Sequence, residues 1–184
     1  MATSDHRTDQ ELLDAAGAGD DAAFQALYYR HRDWVARLAY RFTGNHDEAL
    51  DVVQETFFYL LRKLPGLQLT GRLTTFLYPV VKNVSISMGR KSKRYVSGDT
   101  GLPETAAAET TDSKTLRDEL AIVMKSLPEP QRETLLMRFV DGMELREIAT
   151  ALDIPLGTVK SRLHIALNHL RNDPRTQSYF FADQ

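Results

Sequence analysis

No cysteine occurs among the 184 residues, which excludes disulfides and Cys-ligated zinc. There is one tryptophan, and no apolar run approaches the roughly 18 residues needed to cross a bilayer. The opening residues Met1-Ala2-Thr3-Ser4-Asp5-His6 lack the basic stretch leading into an apolar one that marks a secretory leader. These absences suit a cytoplasmic chain without membrane insertion. His6, His31, His46, His164 and His169 follow no metal-ligand spacing, and neither a nucleophile elbow nor a phosphate loop is present. No enzyme and no cofactor are therefore expected. Period-two alternation is missing as well, so β-structure is not expected.

The formal net charge is −2, which argues against a protein that grips DNA through bulk positive charge. The average hides a pattern. Between Thr56 and Gly98 no Asp or Glu occurs, although 25 acidic residues in 184 would place about six there. The same stretch carries Arg62, Lys63, Arg72, Lys82, Arg90, Lys91, Lys93 and Arg94. Acid is concentrated near the start and after Gly98.

What is abundant is helical spacing. Thr8-Asp9-Gln10-Glu11 reads as a capping box ahead of Leu12 and Leu13. Asp20 or Asp21 caps a second helix, in which Phe24, Leu27, Trp34, Val35, Leu38 and Phe42 recur at helical intervals until Thr43-Gly44-Asn45. A third helix is expected from about His46 to Lys63. Its buried side would hold Val52, Val53, Phe57, Leu60, Leu61 and Leu64, and Pro65-Gly66 would break it. A fourth runs from about Leu73 to Lys91 on Leu77, Val80, Val81, Val84 and Met88, with Pro79 either kinking it or marking its true start.

Residues 96–112 are rich in Ser, Gly, Thr, Ala and acid, and read as a flexible linker. Helical spacing resumes near Ser113 with Leu116, Leu120, Val123, Met124 and Leu127. Pro130 suits the first turn of the next helix, which uses Leu135, Leu136 and Phe139 and stops at Asp141-Gly142. Two closely connected helices follow, from about Glu144 to Leu152 and from about Leu156 to Arg171, and Pro174 closes the folded part. The expectation is an all-α chain of two small helical domains, 1–95 and 113–174, joined by the 96–112 linker and followed by a tail, 175–184.

The segment Leu145 to Leu163 is a helix-turn-helix. Ile148, Leu152, Ile154, Val159 and Leu163 supply a small core, Ala149 is small where the second helix crosses, and Thr158 is a candidate cap. The second helix then presents Lys160, Ser161 and His164 on one side, with Arg162 in reach of phosphate. Such side chains suit base edges and backbone in a major groove.

Asp141-Gly142-Met143-Glu144-Leu145-Arg146-Glu147-Ile148-Ala149, then Gly157-Thr158-Val159-Lys160-Ser161-Arg162-Leu163-His164, together with Leu127-Pro128-Glu129-Pro130-Gln131-Arg132-Glu133 before them, resemble the fourth conserved region of extracytoplasmic-function sigma factors. The first half resembles the second conserved region, through Phe24-Gln25-Ala26-Leu27-Tyr28, Glu48-Ala49-Leu50-Asp51-Val52-Val53-Gln54-Glu55-Thr56-Phe57, Phe76-Leu77-Tyr78 and Lys82-Asn83. The resemblance covers roughly residues 10–94 and 113–172.

The resemblance implies a subunit that binds core RNA polymerase, at the clamp of its largest subunit and the flap of its second-largest, and directs it to the −10 and −35 elements of promoter DNA. An anti-sigma factor is an implied further partner. Asp51, Gln54, Glu55 and Phe57 would meet polymerase. Asp47 and Glu48 enlarge the acidic face, and Leu50 stands where the family usually has another acid. Lys82, Asn83, Arg90, Lys91, Lys93 and Arg94 would hold the −10 element, Asn83 by capturing an unpaired base, with Pro65 to Thr70 as a pocket wall. Thr158, Lys160, Ser161, Arg162 and His164 would read the −35 element. Other departures from the family pattern are Phe76 for tryptophan, Ser87 for aspartate, Pro79 and Gly89 within a helix, Asp153 for the turn glycine, and Ile165 and Leu167 where arginine is frequent. The alternative is a stand-alone helix-turn-helix regulator whose first half senses a signal or dimerises.

Overall fold

The structure, a computed structural model, describes residues 5–95 and 120–180, with side chains at 5–89 and 120–177. The expected linker and the start of the second domain around Leu116 lie outside the described residues. The chain divides into two compact units, Met1–Pro103 and Glu104–Gln184. All regular structure among the described residues is helical.

The first unit holds α1 (Asp9–Gly17), α2 (Asp21–Thr43), α3 (His46–Lys63) and α4 (Leu73–Tyr95). Polar side chains set where these helices begin. Thr8 Oγ1 accepts from the Glu11 N–H at 3.3 Å, and Glu11 Oε2 accepts from the Thr8 N–H at 2.7 Å, closing the expected capping box. Asp20, not Asp21, starts α2 by accepting from the Ala23 N–H. Asn45 accepts from the N–H groups of Asp47 and Glu48 to start α3. Gly44 ends α2 at φ 67°, a left-handed conformation that costs glycine nothing. The fourth helix begins at Leu73 and passes through Pro79 to Tyr95. Pro79 is thus an interior residue rather than a start, and the carbonyl of Thr75 receives no helical hydrogen bond from it.

In this unit α1 packs on α2, and α2, α3 and α4 pack on one another. Leu12, Leu27, Val35, Leu38, Val52, Leu60, Leu73, Leu77, Tyr78 and Val81 are buried where they meet. Leu61 departs from expectation: it is 46% exposed. A helix turns 100° per residue, so the stripe that buries Val53, Phe57 and Leu60 carries Leu61 round to solvent.

The second unit holds α5 (described over 120–126), α6 (Glu129–Phe139), α7 (Leu145–Leu152), α8 (Leu156–Asn172) and α9 (Pro174–Phe180). Its core joins Val123, Leu127, Leu135, Ala166 and Leu170, with Met124, Leu163 and Leu167 packed against it. Two expectations fail here. Phe139 is 60% exposed, and Met137 and Met143 are buried in its stead. Pro174 does not close the fold. It opens α9, which packs on α8, because the Asp173 carboxylate before it accepts from the Arg175 N–H and proline suits the first helical position. Thr176 of α9 is buried and its hydroxyl donates to the Leu170 carbonyl, so the first residues of the expected tail belong to the folded unit.

Candidate nucleic-acid and polymerase interfaces

Three surfaces carry the residues singled out by sequence. The first is the solvent side of α3. Asp51, Gln54 and Glu55 are all exposed there, with Asp47 exposed and Glu48 half-buried beside them. Phe57 does not join them. It is 4% exposed and packs edge-on against Tyr28 and Phe24, ring centroids 4.8 and 6.4 Å away. A side chain so enclosed has no surface for a partner, so Phe57 is corrected from an interface residue to the core residue that holds α3 on α2. The apolar residues on the outer side are Leu50, Phe58 and Leu61, 59%, 55% and 46% exposed. Phe58 and Leu61 were missed as surface residues; their helical register relative to Val53 and Leu60 was the available signal. The face therefore mixes acid with exposed apolar area.

The second surface lies on α4. Asn83 is exposed and Lys82 half-buried. Arg90, Lys91, Lys93 and Arg94 fall within the helix, but their side chains lie outside the described residues. Ile86, 41% exposed, sits one turn from Asn83. The α3–α4 loop precedes this helix, and α1 holds it in place. Gln10 Nε2 donates to the Leu67 carbonyl at 3.0 Å, and the Leu69 N–H donates to Gln10 Oε1 at 2.8 Å.

The third surface is the helix-turn-helix. Its turn requires a left-handed residue, and Asp153 supplies it at φ 52° and ψ 50°. Aspartate tolerates that region better than most side chains. The Glu144 N–H is capped by the Glu147 carboxylate at 2.8 Å. Ile148, Ala151 and Val159 are buried between the two helices, while Leu152, Ile154 and Leu163 are half-buried. Thr158 does not cap α8. The helix begins at Leu156 after Pro155, without a side-chain cap, so Thr158 stands inside the first turn and is half-buried.

Lys160, Ser161 and His164 are exposed on one side of α8, and Arg162 is half-buried to their flank. The Ser161 hydroxyl donates to the Gly157 carbonyl at 3.0 Å, so toward a ligand its oxygen can serve only as an acceptor while that bond holds. His164 Nε2 lies 2.9 Å from Asn168 Nδ2, so Asn168 belongs to the same polar surface; sequence reading missed it, and its i+4 spacing was the signal. Ile165 is 49% exposed beside them. Leu167 is instead packed against the core, so its apolar character is explained by burial.

Comparison with known proteins gives a consistent result. The family model for sigma-70 region 2 matches residues 27–95, and that for sigma-70 region 4 matches residues 117–170. The chain is 30% identical over 175 residues to the ECF RNA polymerase sigma factor SigW of Bacillus subtilis strain 168, covering 85% of this chain and 91% of that one. It is 32% identical over 184 residues to the ECF RNA polymerase sigma-E factor of Escherichia coli K12, covering 92% and 95%. In fold it is similar to CnrH, solved in complex with the cytosolic domain of CnrY, with a TM-score of 0.65, 20% identity, and 96% and 99% of the two chains covered. It is also similar in fold to the sigma factor RpoE of Bartonella quintana, solved with the anti-sigma factor NepR, with a TM-score of 0.60, 22% identity, and 88% and 98% covered. The first half matches a sigma region, so the alternative of a separate sensing or dimerisation domain is not favoured.

Proposed function

This chain belongs to the extracytoplasmic-function sigma factors of the sigma-70 family, and we propose that its two units divide promoter recognition between them while core RNA polymerase holds both. It is a promoter-recognising initiation factor. The presence of region 2 and region 4 on one chain, in that order, carries the reading. Residues 1–95 act as the unit that docks on polymerase and opens the −10 element, 113–174 as the unit that reads the −35 element, and 96–112 as the tether. No step of bond-making belongs to the chain; it works by binding in the cytoplasm. No helix among the described residues is long and apolar enough to cross a membrane.

Asp51, Gln54 and Glu55 meet the polymerase clamp together with Leu50, Phe58 and Leu61. Acid on that face steers the encounter, and the apolar area supplies adhesion once water is excluded. Lys82, Asn83, Arg90, Lys91, Lys93 and Arg94 hold the −10 strand. Lys160, Ser161, Arg162 and His164, with Thr158 and Asn168 at the margin, lie in the −35 major groove, while the second unit also docks on the flap. Each DNA contact is weak alone. Polymerase makes the second one effectively intramolecular, which reconciles DNA reading with a net charge of −2. An anti-sigma factor would act by covering these same surfaces, as a partner of the kind bound to RpoE in the Bartonella quintana complex.

Reconstitution tests this. The purified chain with core polymerase should give run-off transcripts from a promoter enriched by the holoenzyme, and alone should not shift that duplex. Charge reversal by Asp51→Lys should weaken core binding by roughly tenfold with an unchanged melting temperature. Duplex binding without polymerase, or unaltered core affinity in the variant, would overturn the reading or the assignment of Asp51 respectively.

A further inference from the structure

We propose that Gln10 is a positioning residue for promoter opening: its side-chain amide fixes the 64–72 loop in the shape that receives an unpaired promoter base. The proposal rests on the function given above and goes beyond it, since α1 lies outside both matched regions.

The geometry is that of a short piece of sheet made with one side chain. In an extended segment the carbonyl of one residue and the N–H two residues later point the same way. Gln10 offers its Nε2 to the Leu67 carbonyl at 3.0 Å and its Oε1 to the Leu69 N–H at 2.8 Å, satisfying both at once. Asp14 Oδ1 accepts from the same Nε2 at 2.8 Å, which fixes the amide's orientation. Two turns further along α1, Gly17 lies against the start of the loop. A Cβ there would stand 3.1 Å from the Pro65 Cα, closer than such atoms normally approach. The helix thus touches the loop at two places on one face.

These contacts set which loop residues face outward. Leu67 and Leu69 are half-buried, while Gln68 and Thr70 are exposed. Helix α1 is itself anchored, since Asp9 binds Arg30 at 2.8 Å and His31 at 3.0 Å across to α2. A loop without regular structure loses much conformational freedom when it must form a pocket. Unstacking a base costs a few kcal/mol unless a prepared pocket receives it. The loop lies within the acid-free stretch and leads directly into α4, so nothing in it repels a phosphate backbone.

The test uses the full chain loaded on core polymerase. Wild type, Gln10→Ala, Gln10→Glu and Gly17→Ala each select from a randomised promoter pool, and opening of the enriched promoter is followed by 2-aminopurine fluorescence. Gln10→Ala removes both loop bonds, and Gln10→Glu keeps an acceptor but loses the donor. Gly17→Ala pushes the loop from its other end. Gln10→Ala and Gly17→Ala should each lower base preference in the unpaired near element, and the rate of opening, by about tenfold. Core affinity and far-element preference should stay at wild-type levels, and Gln10→Glu should fall between. Retained near-element preference in both variants would overturn the proposal. So would a joint fall of near preference, far preference and core affinity, which marks a destabilised unit and not a displaced loop. If the wild-type holoenzyme enriched no promoter at all, the underlying function would fail first.

Discussion

The two units use their polar side chains in different ways. In the first, hydrogen bonds and ion pairs join elements far apart in the chain: Asp9 to Arg30 and His31, Arg7 to Asp20, and Gln10 to Leu67 and Leu69. In the second they mostly close single turns: Thr134 to Pro130, Arg138 to Met143, Thr150 to Arg146 and Ser161 to Gly157. Ser126 to His169 and Arg132 to Lys125 join separate helices of that unit. The first unit therefore adds polar staples between distant elements to its apolar core, as the proposed holding of a loop and an opened strand would require. The second relies on a few apolar residues and keeps Lys160, Arg162 and His164 at its surface without an ion pair to another described residue. Under the proposed −35 role, cations destined for phosphate gain nothing from pairing internally.

The largest expected effect separates two neighbours on α3. Phe57→Ala should destabilise the first unit by about 4 kcal/mol, since it empties a packed site among Tyr28 and Phe24. Phe58→Ala should leave the denaturation midpoint in place and weaken core polymerase binding by roughly tenfold. Chemical denaturation and a core-binding titration on the same two variants decide it. Equal destabilisation by both would erase the distinction between the inner and outer faces of this helix.

Next comes acid. Burial pushes the Asp9 carboxyl up, but hydrogen bonds from His31 and Arg30 outweigh it and leave the carboxyl below its ordinary value. A carboxylate lowered in the folded state adds stability above its unfolded pKa, near 4, and loses it as pH falls through the folded value. Asp9→Asn should cost the first unit about 2 kcal/mol at neutral pH. The gap to wild type should begin to close as pH drops below about 4 and be lost as it falls through the lower folded value, where the native group also becomes neutral. A constant gap across that range would show that the pair contributes by shape and not by charge. The second unit should be indifferent to the substitution.

Smaller again are the recognition cations. Lys160→Ala or Arg162→Ala should each reduce transcription from a −35-dependent promoter by several-fold to about tenfold and flatten its salt dependence. Neither should alter stability much, because Lys160 is exposed and Arg162 only half-buried. If melting temperature fell with activity, the comparison between an internally stapled unit and an outwardly spent one would fail.

Most helix limits were legible because they rest on local chemistry. Thr8 with Glu11, Asp20, and Gly44 each fix an end through neighbours in sequence, and the third helix runs from His46 to Lys63 as its spacing implied. The helix-turn-helix was legible for the same reason, whereas α4 runs on to Tyr95, past the expected Lys91, with Pro79 inside it and not at its start. The errors fall where apolar residues are adjacent. Leu60-Leu61 and Leu135-Leu136-Met137-Arg138-Phe139 offer more hydrophobic positions than one helical face can bury, and only packing against a partner helix decides which go inward. The spacing placed Phe57 on the buried side of its helix, where it lies; only the family resemblance put it at the polymerase interface. His31 had no local sign of its role, because its partner Asp9 lies on another helix. Likewise Gln10 looked like one more polar residue in a capping box, since the loop it fastens is remote in sequence. Pro174 carried two local meanings, a stop and a helix start, and the preceding Asp173 chose the second.

The smallest effect concerns the turn on which the second unit's geometry depends. Asp153 sits at φ 52°, a region that costs a side chain free energy and glycine almost none. Against this, glycine gains freedom in the unfolded chain. The backbone term should win narrowly, because the Asp153 side chain is exposed and its backbone N–H already bonds Thr150. Asp153→Gly should therefore stabilise the second unit by about 0.5 kcal/mol, read from its denaturation midpoint, while Asp153→Ala should destabilise it by a similar or larger amount. If α8 meets phosphate as proposed, removing the carboxylate next to it should also raise promoter affinity slightly in both variants. Stability then separates the two variants and affinity does not, so the pair distinguishes what the turn demands of the backbone from what the charge does to DNA.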